Sequence, residues 1–227
     1  MKQLKLVTLG LLFTTVASFA QAQTASDQSS AAPASESKDS SDLSKGGLFV
    51  EPMLTYQSGT NEVSYPLINN TSDEKITGFG VGVKLGAHVY ESVYVAADAR
   101  YAMPKYDSSA AGVEVDSTAY NAGVTVGMQT PLYGIRVWGT YILAGELNPK
   151  EFGSGALEGL DVKFKDMKGY RIGAGIYVKS VSINLEYQDA KFDTTTVEGQ
   201  GALSGDYTSV EGKDKSYIVS LSFPVSL

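Results

Sequence analysis

His88 is the only histidine of the chain, and there is no cysteine. A hydrolytic centre would therefore turn on that single imidazole, with Ser92 and Asp98 the nearest candidates for nucleophile and orienting carboxylate. Thiol nucleophiles, disulfides and cysteine-ligated metals are excluded. The more frequent chemical groups are charges at polar positions of otherwise apolar segments: Glu51, Lys84, Asp98, Arg100, Arg136, Arg171 and Glu186. His88 and Trp138 share that face. A lone charge in an apolar setting is costly, and pairing is the usual remedy. If Val89 pairs with Val93 across a turn at Tyr90–Ser92, Lys84 faces Asp98 and His88 faces Tyr94. Arg171 then comes within diagonal reach of Glu186. The expectation is an internal ion-pair network that fills space, with His88 bonded to a neighbour and Trp138 packed inside. Carboxylates in the polar connections, among them Glu62, Glu74, Asp107, Glu114, Asp193 and Asp214, lack the spacing of a calcium loop and read as solvating. No catalytic residue, metal site or cofactor is expected.

These charges need rigid elements to hold them, and the sequence supplies a period of two. Phe79, Val81, Val83, Leu85, Ala87 and Val89 share one face against Gly78, Gly80, Gly82, Lys84, Gly86 and His88 on the other. Val93, Val95, Ala97, Ala99 and Tyr101 alternate with Tyr94, Ala96, Asp98 and Arg100. The scheme recurs at Asn121–Met128, Ile135–Leu143, Tyr170–Val178, Val181–Gln188 and Ser216–Phe223, and Leu48–Gln57 makes an eighth strand. The segments are about 10 residues long, the length a tilted strand needs to cross hydrocarbon. Long connections near 58–74, 104–117, 145–166 and 190–215 alternate with tight turns at Tyr90–Ser92, Thr130–Tyr133 and Lys179–Ser180. A soluble sandwich has no reason to keep that parity. Outer-membrane barrels do, with short periplasmic turns and long surface loops. The fold expected is all-β: an eight-stranded antiparallel up-and-down transmembrane barrel, closed because lipid offers no partner to an unpaired strand edge. Tyr101, Tyr141, Tyr170, Tyr187 and Tyr217 fall at the loop ends of strands, with Phe49, Tyr90, Tyr133 and Phe223 towards the turns, as two aromatic girdles require.

The first residues read as an address. Lys2 and Lys5 precede the apolar run Leu6–Phe19, and Ala20-Gln21-Ala22 is a small-residue cleavage site, so residues 1–22 read as a signal peptide. Residues 23–45, rich in Ser, Ala, Asp and Gln, read as a disordered periplasmic linker, and 46–227 as the barrel. Removing Lys2 and Lys5 turns 18 basic against 25 acidic residues into 16 against 25, a net −9. Such a chain does not seek nucleic acid.

From Gly46 to Leu227 the chain resembles the small outer-membrane barrels: the OmpA-type transmembrane domain, OmpX, OmpW and opacity-like surface proteins. The resemblance rests on this architecture and on the amphipathic last strand, where Tyr217, Val219, Leu221 and Phe223 look like the signal read by the barrel-assembly machinery. Four residues follow the aromatic. It implies a Gram-negative outer-membrane location, with the linker and C-terminus periplasmic. Implied partners are membrane lipid and lipopolysaccharide, the assembly machinery during insertion, and an extracellular ligand at the loops, the barrel being a monomer. It also implies a non-enzymatic surface role in envelope integrity, adhesion or recognition. Two alternatives stand beside it. One is a narrow pore or OmpW-like channel for small hydrophobic molecules. The other is a lipid A-modifying enzyme, which the resemblance disfavours, since the His and Ser of such barrels lie at the outer rim and His88 is beside a tight turn.

The mature chain should stay with membranes through an alkaline carbonate wash and should migrate differently on a gel when boiled. Identical mobility before and after boiling would remove the barrel.

Overall fold

Strict alternation lets a sheet keep one face apolar and the other polar, and curling the sheet until its edges meet satisfies every backbone group. The computed structural model describes residues 47–65, 70–90, 92–109, 112–130, 134–151, 158–159, 161–178, 180–198, 205–207 and 210–227. The signal segment, the linker up to residue 45 and Tyr133 lie outside the described residues. Eight long strands form a ring: β1 (Gly47–Tyr65), β2 (Asn70–Tyr90), β3 (Val93–Ser108), β4 (Val113–Gln129), β5 (Ile135–Pro149), β6 (Asp161–Val178), β7 (Val181–Glu198) and β9 (Glu211–Ser222). Each is antiparallel to its neighbours, and β9 closes the ring by pairing with both β7 and β1. The short β8 (Gly205–Tyr207) extends the sheet beside β7, and β10 (Val225–Ser226) pairs with the start of β1.

The register follows the parity of the sequence. Lys84 is opposite Asp98 and His88 opposite Tyr94. The outer wall is apolar: Phe79 is 72% exposed, and Leu85, Val126, Ile172, Leu185 and Leu221 point the same way. In water such a surface would aggregate; in lipid it is the correct solvent. At the loop ends an aromatic belt runs around the ring as cross-strand pairs: Tyr56 with Phe79, Tyr101 with Tyr120, Tyr141 with Tyr170, and Tyr187 with Tyr217. Ring centroids are 4.9 Å apart in the first pair and 5.3 Å in the last, within the range of favourable aromatic contact. Tyr90 and Phe223 face outwards near the turns.

Two sequence expectations need correction. Phe49 is not in the turn-end girdle; it is buried in the lumen, because it shares parity with Glu51 and Met53. The four long connections are not mostly loop. Strand pairing continues deep into them, so the spanning strands run from 12 residues in β9 to 21 in β2. The extensions hide from a hydropathy pattern because their outward residues turn polar beyond the belt, while backbone pairing such as Thr60 with Lys75 and Lys105 with Asp116 goes on. Local irregularities punctuate the ladder, two of them around β4. Between β3 and β4 the pairing skips Met103 and Pro104, and the Ser117 hydroxyl donates to the Pro104 carbonyl at 2.6 Å. Between β4 and β5 a bulge leaves Leu143 unpaired, so that Ile142 and Gly145 both face inwards.

Eight strands leave an interior just wide enough for side chains to fill, and here they do so in layers. Near the turns, Phe49, Tyr94, Ala96 and Trp138 pack together. Towards the loop ends lies a larger apolar cluster containing Val63, Ile76, Tyr106, Ile142, Leu147, Phe164, Met167, Ala190 and Phe192. The charged layer sits between them. Small lumen-facing residues make room for the large ones: a Cβ on Gly173 would come within 2.5 Å of Trp138 Cε2. Replacing Gly173 with Val should cost about 1–3 kcal/mol by overpacking. The reading would be a lower temperature of conversion from the folded to the unfolded gel band. An unchanged transition would mean that the lumen has slack.

Candidate functional site

Parity alone delivers the charged residues to the lumen. Glu51 from β1, Lys84 from β2, Asp98 and Arg100 from β3, Arg136 from β5, Arg171 from β6 and Glu186 from β7 are all buried. Since a buried charge must be matched, the partners matter more than the positions.

Two clusters result. Arg136 donates both terminal nitrogens to Glu51, at 2.9 and 2.6 Å, and Ser222 adds a hydroxyl to the same carboxylate at 2.6 Å. The Arg136 guanidinium is flanked by the rings of Tyr94 and Trp138, at 5.5 and 5.8 Å. The second cluster centres on Arg100. It grips Asp98 on its own strand through Nε and Nη2, each at 3.0 Å, and reaches across the lumen to Glu186 at 2.5 and 2.9 Å. Arg171 donates to Asp98 Oδ1, the oxygen that also accepts from Arg100 Nε, at 3.1 Å, and to Gln188 and Asn121. Trp138 Nε1 donates to Glu186 at 2.7 Å, and the Lys84 ammonium lies 4.3 Å from the centre of the Trp138 ring. Trp138 thus links the aromatic layer to the charged one.

The diagonal contact expected between Arg171 and Glu186 is replaced by two others. Arg171 takes Asp98 and Gln188, while Glu186 takes Arg100 from across the barrel. Strand register shows which residues are neighbours on a sheet, but not which meet across a closed lumen 86 positions away in sequence.

Two carboxylates assigned to solvent by the sequence pattern are also inside. Asp214 is buried, accepts from Gln188 at 2.6 Å and from Ser216, and through Gln188 is joined to Arg171. Glu74 is buried near the loop end and accepts from Ser72 and from the Ser109 backbone. The signal was present: Asp214 shares parity with Ser216, Ser220 and Ser222, and only the assumption of a loop hid it. With Asp214, four acids (Glu51, Asp98, Glu186, Asp214) stand against four bases (Lys84, Arg100, Arg136, Arg171) in this part of the lumen.

His88 lies half-buried at the turn end, its ring 5.2 Å from Phe49 and 5.9 Å from Tyr94. Its Nε2 has no hydrogen-bond partner among the described residues. Asp98, the candidate orienting carboxylate, is held by two arginines instead. No group of three or more potential metal ligands occurs among the described residues. Tyr217, Val219 and Leu221 project from the outer face of β9, with Phe223 just beyond it.

No family model matches the chain, and no curated protein matches it in sequence. Among solved structures it is similar to Neisserial surface protein A, with 14% identity over 77% of this chain and 96% of that one, at a TM-score of 0.41. It is similar to Ail, the attachment invasion locus protein of Yersinia pestis, crystallised with the heparin analogue sucrose octasulfate. There the identity is 11% over 79% of this chain and 99% of that one, at a TM-score of 0.44. An outer membrane channel from Pseudomonas putida F1 is similar at 10% identity, over 80% of this chain and 96% of that one, with a TM-score of 0.31.

Arg136 and Glu51 form a contained pair suited to a double-mutant cycle. Arg136→Met alone should cost about 3–5 kcal/mol, because it strands a buried carboxylate. Adding Glu51→Leu should recover a good part of that loss in urea unfolding from lipid vesicles. Strictly additive losses would mean that the two residues are not coupled.

Proposed function

We propose that the chain is a non-enzymatic outer-membrane barrel with a closed lumen, whose work is done on its surface: supporting the envelope, and presenting an adhesion or recognition surface at the loop ends. The observation that carries this reading is the filling of the interior. An aromatic layer, a charged layer and an apolar layer follow one another from the turns to the loop ends. The cavity between Thr55, Gln57, Arg100, Ala102, Ala119, Asn121 and Ile218 has a volume of about 10 Å³, room for about one water. A path for solutes would have to break bidentate ion pairs and displace Phe164 and Phe192.

An even number of strands returns both ends of the ring to the side of the tight turns. Short turns belong to the periplasm, so the linker and C-terminus would be periplasmic and the strand extensions extracellular. The outward face of β9, ending at Phe223, would be read by the barrel-assembly machinery during insertion. Lipid and lipopolysaccharide would surround the wall, and an extracellular ligand would meet the loops. Closure of the strand ring within one chain supports a monomer. For the non-enzymatic assignment, the support is the packing of His88 against the rings of Phe49 and Tyr94, with Nε2 bonded to no hydroxyl or carboxylate among the described residues.

Refolded protein in planar bilayers should give no steady conductance steps, and His88→Ala should behave alike. Lipid A from cells with and without the protein should have the same mass spectrum. Reproducible steps, or uptake of small hydrophobic molecules into vesicles, would favour the channel instead; an altered lipid A that His88→Ala restores would favour an enzyme.

A further inference from the structure

One stretch of the outer wall carries cations just past the aromatic belt. The outward positions beyond the belt tyrosines of β6, β7 and β9 include Lys168, Lys191 and Lys213. The register sets Lys168 opposite Lys191, and Lys191 opposite Lys213. Three ammonium groups therefore stand in a row over adjacent strands, where opposed side chains are roughly 5 Å apart and like charges destabilise. Lys165 and Lys215 flank the row on β6 and β9. The chain as a whole is acidic, at −7. On the opposite flank, above Tyr101, Tyr120 and Tyr141, the outward groups include Asp107, Glu114, Asp116 and Glu146 against Lys105 and Lys150. Lysines are thus gathered on one side, with carboxylates interleaved among them.

Height decides what this row meets. Lys168 is two residues beyond Tyr170, and Lys191 and Lys213 are four beyond Tyr187 and Tyr217. At about 3.3 Å per residue and roughly 45° of tilt, the row stands about 5–9 Å above the belt, within the headgroup layer. Its neighbours there are lipid headgroups. Each of these lysines is paired with a half-buried carboxylate: Asp193 is shared by Lys168 at 2.8 Å and Lys191 at 3.5 Å, Asp189 takes Lys213 at 3.4 Å, and Glu62 takes Lys215 at 3.2 Å. The ammonium ends are exposed, and ion pairs at such a surface contribute about 0–1 kcal/mol, so the ammonium groups can turn to a stronger acceptor. Between them opens a cleft of about 350 Å³, lined at Tyr170 and Gly169 and walled by the three lysines and three carboxylates, Glu62, Asp189 and Glu211.

We propose that this cleft on β6, β7 and β9 holds the phosphorylated sugar headgroup of an outer-leaflet glycolipid. Lys168, Lys191 and Lys213 engage the phosphate, and Asp189 and Glu62 accept from sugar hydroxyls. A phosphate monoester carries about −1.5 to −2 charge and three acceptor oxygens, which suits three ammonium groups set side by side on adjacent strands. A mixed lining of ammonium and carboxylate suits a ligand that presents both phosphate and hydroxyl. The proposal rests on the outer-membrane placement above and names where lipopolysaccharide binds.

The test compares the full mature chain with a Lys168→Gln, Lys191→Gln, Lys213→Gln variant, each refolded into phosphatidylcholine vesicles. The vesicles contain either bisphosphorylated lipid A or its dephosphorylated form. The native barrel should gain thermal stability with the phosphorylated lipid, and the triple variant should lose most of that gain while melting unchanged in phosphatidylcholine alone. Lys105→Gln with Lys150→Gln on the opposite flank should keep it. The site is overturned if the native barrel shows no phosphate-dependent shift, if the triple variant retains it, or if inorganic phosphate alone reproduces it. Failure of the native chain to insert, read as a gel mobility indifferent to heating, sinks the membrane placement itself and so is a separate result.

Discussion

Everything inside this molecule follows from the narrowness of an eight-stranded ring. The interior has no room for bulk water, so the ionised groups that parity sends inwards are held by partners inside the ring. Glu51 and Arg136 solve the problem as a bidentate pair capped by Ser222. Asp98, Arg100, Arg171 and Glu186 solve it as a chain that crosses the lumen. Polar amides extend the solution: Gln188 accepts from Arg171 and donates to Asp214, a relay that neither a lone arginine nor a lone carboxylate could provide. The small residues of the same face belong to this arrangement, since Gly173 yields the space that Trp138 occupies on its way to Glu186.

The outside obeys the complementary rule. Apolar side chains occupy the outward positions up to the aromatic belt, and the belt is built as tyrosine and phenylalanine pairs on adjacent strands rather than as scattered rings. Pairing places two rings at one height and fixes the level of the membrane against the sheet register. Above that level the wall turns polar without losing its hydrogen-bonded ladder, and there lysines concentrate on β6, β7 and β9.

Most of the fold was legible because a period of two is unambiguous where one face is greasy: strand number, order and the register that sets Lys84 opposite Asp98 all follow from it. The placement of the seven lumen charges was equally legible, each being at a polar position of an apolar strand. Three things were not. Phe49 defeats a rule that sends aromatics to the interface, since parity outranks residue type inside a strand. Asp214 and Glu74 defeat a rule that reads acids outside apolar segments as solvated, because strand pairing continues past the last lipid-facing residue. The partners of Arg171 and Glu186 depend on how a sheet curls shut, and no local spacing encodes the distance across a closed ring.

The chain of charges that spans the lumen also bears on how such a barrel enters a bilayer. A sheet not yet closed would turn Arg100 and Arg171 towards hydrocarbon without Glu186 and Asp98, the carboxylates that the far wall brings them. Partially inserted forms are thus penalised by their own interior, and seam closure between β1 and β9 must accompany entry rather than follow it. The same side chains that plug the finished molecule act, during its birth, as a check against stopping halfway.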